Sequence, residues 1–157
     1  MRGTFEIRKA DQADASAILH CLRAAFSPYR HQYTREAFAD TVMTADSLER
    51  RMREMSLFVA YSNGEVVGTI GCAGNGAEGH LRGMAILPHW QGTGVAAALL
   101  EAAEAELSSN KCTRVTLDTT EPLARAIRFY QTHGFVASGR VTDFFGMRLF
   151  EYTKPLF

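Results

Sequence analysis

Over residues 5–9 apolar and charged side chains alternate with the period of a strand that buries one face. The period then lengthens. Ala17, Ile18, Cys21, Leu22 and Ala25 share one helical face, with Asp11 or Asp14 available as its cap, and Ser27-Pro28 ends the run. After a polar and aromatic stretch at 29–33, one or two helices are expected between residues 34 and 55. Residues 57–61 and 66–72 are β-rich runs joined around Asn63-Gly64, a dipeptide suited to a tight hairpin turn. Residues 74–79, with three glycines, read as a loop. A strand follows at 81–87, with Gly83 marking a bulge or a close backbone approach, and Pro88 closes it.

From residue 94 to about 107 a helix carries Ala96, Leu100, Ala103 and Leu107 as its apolar stripe, with Glu101, Glu104 and Glu106 mainly toward water. A short strand is expected at 114–118. A helix at 123–133 follows, with Leu123, Ala126, Ile127 and Tyr130 on one side and Gly134 as its C-terminal cap. Two last strands, near 135–141 and 147–154, form a second hairpin. The order predicts a mixed α/β sheet with helices on both faces. No repeat, low-complexity tract or linker interrupts it, so residues 1–157 are expected to form a single domain.

Composition narrows the chemistry. The 157 residues are 46% apolar and 22% charged, a globular balance. Lys plus Arg equals Asp plus Glu at 17 each, so no net field draws in nucleic acid or an anionic membrane, and neither is expected as a partner. Cys21, Cys72 and Cys112 are too widely spaced for a zinc motif or a disulfide framework and suit small buried positions in a reducing compartment. No metal is expected. Without a signal peptide or a long apolar run, the expectation is a soluble cytoplasmic protein. Dimerisation stays open.

The segment Gln91-Gly92-Thr93-Gly94-Val95-Ala96-Ala97 joins a strand to an Ala-rich helix. A helix start exposes N–H groups and partial positive charge, and small residues let an anion approach the backbone. Gly92-x-Gly94-x-x-Ala97 imitates a dinucleotide fingerprint, with Asp118 at a fitting distance, yet residues 88–91 intervene and the chain offers one β-α-β unit.

The spacing Gln/Arg-x-x-Gly-x-Gly/Ala, matched by Gln91, Gly94 and Ala96, resembles the signature of the GNAT superfamily of acyl-CoA N-acyltransferases. The resemblance extends to Ile7-Arg8-Lys9-Ala10-Asp11, to Met84-Ala85-Ile86-Leu87-Pro88, and to Ala126-Ile127-Arg128-Phe129-Tyr130 leading to His133-Gly134-Phe135. It implies a mostly antiparallel sheet splayed between the strands at 81–87 and 114–118. The co-substrate would be acetyl-CoA, its pantetheine arm along Met84, Ala85 and Ile86 and its pyrophosphate on the amides of Gly92, Thr93, Gly94, Val95, Ala96 and Ala97 after Gln91. Leu123 stands where many members carry an Asn that touches the cofactor.

Amine acylation needs a base for the ammonium proton, donors for the developing oxyanion and an acid for the departing thiolate. The resemblance gives Tyr130, in its Tyr-x-x-x-Gly-Phe segment, the acid role, although its place on an apolar stripe also suits a core tyrosine. Two residues compete as base. His80 lies at a distance from Gln91 where histone-acetylating relatives carry Glu, and Asp118 lies where ribosomal-protein N-terminal acetylating relatives carry theirs. Ordered water is the third choice, and the amide of Ile86 a candidate oxyanion donor. Phe26, Tyr29 and Tyr33 beside Arg30 and His31 are candidate acceptor-pocket walls or ordinary packing. Arg30 suits an acceptor carboxylate and Asp143 an ammonium. The expected function is transfer of an acetyl group to a primary amine of a small molecule or peptide by direct attack. The alternative is a non-catalytic acyl-CoA-binding module.

Overall fold

The computed structural model describes residues 4–156. Strand β1 (Glu6–Lys9) is followed by α1 (Ala15–Phe26), α2 (Arg35–Val42) and α3 (Ala45–Glu54), then β2 (Ser56–Ser62), β3 (Glu65–Asn75) and β4 (Glu78–Ile86). Helix α4 (Val95–Ser109), β5 (Arg114–Thr120), α5 (Ala124–Thr132), β6 (Val136–Phe144) and β7 (Met147–Pro155) complete the chain. The strands form one sheet in the order β1-β2-β3-β4-β5-β7-β6, antiparallel throughout except for the β4–β5 pair. The expected mixed α/β sheet is what forms.

Local chemistry explains the element ends. Asp11 caps the single 3-10 turn before α1 through the Ala13 amide, while Asp14 instead takes both guanidinium nitrogens of Arg8 at 2.9 Å. The Arg8 hydrogen bonds hold the Asp14 carboxyl below its ordinary range, against the opposing effect of burial. Thr34 and Thr44 cap α2 and α3. Asn63 and Gly64 both adopt positive φ, 50° and 77°, and close the expected β2–β3 hairpin.

Two expectations need correction. Residues 74–79 are not a loop: β3 runs to Asn75 and β4 begins at Glu78, with only residues 76–77 turning. Glycine there serves close packing, since a Cβ on Gly79 would sit 2.7 Å from Leu107 Cδ1. Glu104 and Glu106 are not simply solvated either. They bind Lys154 and Lys9 at 2.9 and 2.7 Å, tying α4 to the sheet.

The core lies between the sheet and α1 on one face and α4 on the other, around Ile18, Leu22, Val59, Val67, Ile70, Leu99, Leu107 and Val115. Cys21, Cys72 and Cys112 are buried and unbridged, and burial pushes the first two thiols up to about 12. Among the described residues no helix is long and apolar enough to cross a membrane.

The start of α4 is seated by Gly68 of β3. A Cβ there would lie 2.8 Å from Val95 Cγ1 and 3.0 Å from both Ile86 Cδ1 and Leu99 Cδ1. Gly68→Val overpacks this contact and is expected to cost about 1–3 kcal/mol, read as a fall of several degrees in thermal midpoint. An unchanged midpoint contradicts the packing described.

Candidate active site

Strands β4 and β5 pair only from Glu78–Arg114 to Leu81–Leu117. Beyond Leu81 they part. The cause is local: the β3–β4 register shifts between Thr69 and Gly71, and on β4 the extra residue is accommodated by Gly83 at φ +67°, a conformation that glycine tolerates best. A cleft of about 630 Å³ opens between the parted strands, lined by Met84, Ala85 and Ile86 on one wall and by Leu117, Thr119 and Thr120 on the other. The Leu87 N–H bonds the Val67 carbonyl at 2.9 Å, so by antiparallel alternation the Ile86 N–H and C=O turn away from β3 and into the cleft. Gln91 Nε2 donates to that carbonyl at 3.4 Å.

At one end of the cleft lies the glycine turn. Gly92 and Gly94 take φ of 76° and 94°, and the Thr93 hydroxyl donates to the Trp90 carbonyl. The first intrahelical bond runs from the Ala98 N–H to the Gly94 carbonyl, which leaves the preceding first-turn amides outside the helix ladder. Gln91, Gly92, Gly94, Ala96 and Ala97 line the cleft, whereas Thr93 and Val95 do not, Val95 being 1% exposed against the core. A dinucleotide fold is excluded by topology, because β4–β5 is the one parallel pair in the sheet among the described residues.

The facing wall comes from α5: Leu123, Arg125, Ala126, Phe129 and Tyr130. Arg125 Nη2 lies 3.6 Å from the position of a Cβ on Gly92, which sets a guanidinium beside the glycine turn. The sequence reading missed this residue. Its signal is a cation in the first turn of a helix, where the macrodipole disfavours it. Tyr130 is buried between Phe129 and Phe135, each ring centroid 5.6 Å away, and among the described residues no hydrogen bond holds its hydroxyl. Burial pushes the phenol well above its ordinary pKa.

His80, Thr116 and Asp118 stand together on the sheet face away from α4. His80 Nδ1 is 2.9 Å from Thr116 Oγ1, and Nε2 is 3.8 Å from Asp118 Oδ2. Burial lowers the imidazole pKa against the opposing pull of Asp118, and burial raises that of Asp118. Thr116 Oγ1 also donates to the Gly79 carbonyl at 3.4 Å. With the hydroxyl hydrogen so directed, the oxygen is free to accept from Nδ1–H, the tautomer that puts the lone pair on Nε2.

Phe26, Tyr29 and Tyr33 line the cleft, with Phe144 opposite. Tyr33 is fixed by a 2.6 Å bond to Thr120 Oγ1 and by edge contacts to Phe26 and Phe38. Arg30 is exposed, is not among the residues that line the cleft, and lies 5.3 Å over the Phe38 ring. Asp143 accepts from the Gly146 amide at 3.3 Å and so shapes the β6–β7 turn. Asp40, Arg51 and Arg82, which sequence patterns did not single out, line this end of the cleft instead.

The chain has known relatives. Residues 14–156 match the family model of the acetyltransferase (GNAT) domain. Three solved structures are similar in fold. The PaiA N-acetyltransferase of Thermoplasma acidophilum, in complex with coenzyme A, superposes with a TM-score of 0.83 at 17% identity, covering 97% of this chain and 99% of that one. The ribosomal-protein-S18-alanine N-acetyltransferase of Escherichia coli gives 0.79 at 18% identity, covering 98% and 94%. The ribosomal-protein-alanine N-acetyltransferase of Brucella melitensis gives 0.74 at 23% identity, covering 96% and 99%. With the parted strands and the glycine turn in the positions that family requires, the chain belongs to the GNAT acetyltransferases.

Proposed function

We propose that this chain is an acetyl-CoA-dependent N-acetyltransferase that passes the acetyl group directly to a primary amine. The observation that carries the reading is the cleft itself, with an anion-binding turn at one end and titratable groups at the other. The residues fit the co-substrate. Thr119 Oγ1 is buried beside the cleft without a hydrogen-bond partner among the described residues, and the Ile86 amide faces inward, so an amide-bearing arm laid between β4 and β5 meets polar groups that need it. The first-turn amides of α4 and the Arg125 guanidinium suit a pyrophosphate.

Acetyl-CoA supplies the thioester carbonyl and a thiolate leaving group. His80 is neutral at physiological pH because burial depresses its pKa, and its Nε2 takes the proton of the acceptor ammonium. Asp118 stabilises the imidazolium that results. The Ile86 N–H donates to the developing oxyanion. Tyr130, kept protonated by its apolar surroundings, gives its proton to the departing sulfur, and the second proton lost from the acylated nitrogen restores the phenol. No acyl-enzyme is needed, in keeping with three buried cysteines, none of which lines the cleft.

Tyr130→Phe is expected to lower kcat about 100-fold while acetyl-CoA affinity stays within about twofold, measured by thiol release across an amine panel and by calorimetry. Tight acetyl-CoA binding with no thiol release from any amine would point to the binding module. Unchanged kcat in the variant removes Tyr130 from the mechanism.

The pH dependence has a definite sign. A depressed His80 pKa places the acid limb of kcat/KM below pH 6.5. Asp118 favours the imidazolium, so Asp118→Asn shifts the limb to lower pH, whereas His80→Gln removes the limb together with most of the activity. A limb that Asp118→Asn moves upward, or one that survives in His80→Gln, contradicts the assignment of the base.

A further inference from the structure

Two guanidinium groups, Arg51 and Arg82, line the acceptor end of the cleft beside the Asp40 carboxylate. Arg51 of α3 extends to the β4 bulge, where its Nη1 lies 2.6 Å from the position of a Cβ on Gly83. A side chain at 83 would meet the guanidinium. Arg51 is partly buried, yet among the described residues its five N–H donors make no hydrogen bond or ion pair. Burial first, and the neighbouring Arg82 second, bring its pKa down to about 10, while Asp40 pulls it the other way, so the group stays charged at neutral pH. Asp40 is also engaged by Arg82, loosely, at 3.7 Å. The one nearby carboxylate is thus taken by the exposed Arg82, and the half-buried Arg51 is left, among the described residues, without an ion pair.

A half-buried cation without a partner is costly in the unliganded protein, and an apolar side chain of similar size would avoid the cost. A ligand that brings an anion offsets it. The position is also suited to the reaction. Arg82 follows His80 by two residues on the same face of β4, about 7 Å along the strand, and Tyr29, Tyr33 and Phe144 close the same chamber. Resting on the acyl-transfer reading of this cleft, we infer that Arg51, with Arg82, binds a carboxylate or phosphate group of the acceptor. The substrate class is then a small amine that also carries an anion, such as an amino acid or an amino-phosphate, rather than a polyamine. The carboxylate-binding role suggested by sequence for Arg30 moves to these two residues.

The test uses matched amines in thiol-release assays: amino acids against their carboxamides, and phosphoethanolamine against ethanolamine. The anionic member of at least one pair is expected to have a kcat/KM at least about 10-fold higher, with the preference lost in Arg51→Met mainly through KM, and with KM lowered in Asp40→Asn. Equal use of neutral members, or a preference that survives Arg51→Met, overturns the inference. Anion binding is read independently of turnover by titrating inorganic phosphate into the protein and following arginine Nε–H resonances. A saturable shift absent from Arg51→Met is expected, and no Arg51-dependent shift overturns the site even if acetyl-CoA binds. Failure of acetyl-CoA to bind in calorimetry, with the phosphate shift intact, would overturn the acyl-transfer reading and leave the anion site standing. Arg51→Met is expected to melt at or above the wild-type temperature in anion-free buffer. A marked fall assigns Arg51 a structural role instead.

Discussion

A backbone that leaves a sheet must find other partners for its N–H and C=O groups, and β4 does this in the middle of its length. It pairs with β5 as far as Leu81, bulges at Gly83, and continues along β3 alone. Had β4 and β5 stayed in register to their ends, no cleft would exist. Because they part, the Ile86 peptide faces an open slot, Thr119 Oγ1 is stranded at its wall, and α4 and α5 begin where the two strands have already separated. The glycine turn and Arg125 then lie at one end of the slot and the His80–Asp118 pair at the other.

Electrostatics within that frame are local. The chain has no net charge, yet Arg51, Arg82 and Arg125 all line the cleft. Burial lowers His80, which keeps a neutral base available, and raises Tyr130, which holds the phenol protonated until the sulfur departs. The same burial that tunes these groups destabilises an unpartnered guanidinium, so the site holds features that a chain selected for stability alone would lose. Gly68 and Gly83 belong with these constraints. The first lets α4 approach the sheet, and the second lets the strand bulge.

Much of this was legible in the sequence, for physical reasons that can be named. Asn63-Gly64 encodes its hairpin through two positive φ angles, and the strand-to-helix turn at 91–97 through its run of small residues. The splay between β4 and β5 followed from the family resemblance rather than from periodicity, and Gly83 was its visible trace. What escaped depends on tertiary approach. Residues 74–79 look like a loop because glycine weakens a strand signal, whereas here Gly79 makes room for Leu107. Arg51 lies on an exposed-looking, charge-rich helix, and no local pattern sets it apart from Arg50 or Arg53. Arg30 drew attention beside Phe26, Tyr29 and Tyr33, whereas its guanidinium lies over the ring of Phe38.

The central claim is that the opening between β4 and β5 is the seat of the acyl-CoA. Amide hydrogen exchange, with and without coenzyme A, tests it at single residues. The account predicts strong added protection at Ile86 and at Val95, Ala96 and Ala97, with little change on the outer strands β1 and β6. Coenzyme A binding that leaves the Ile86 amide as exchangeable as before would contradict it.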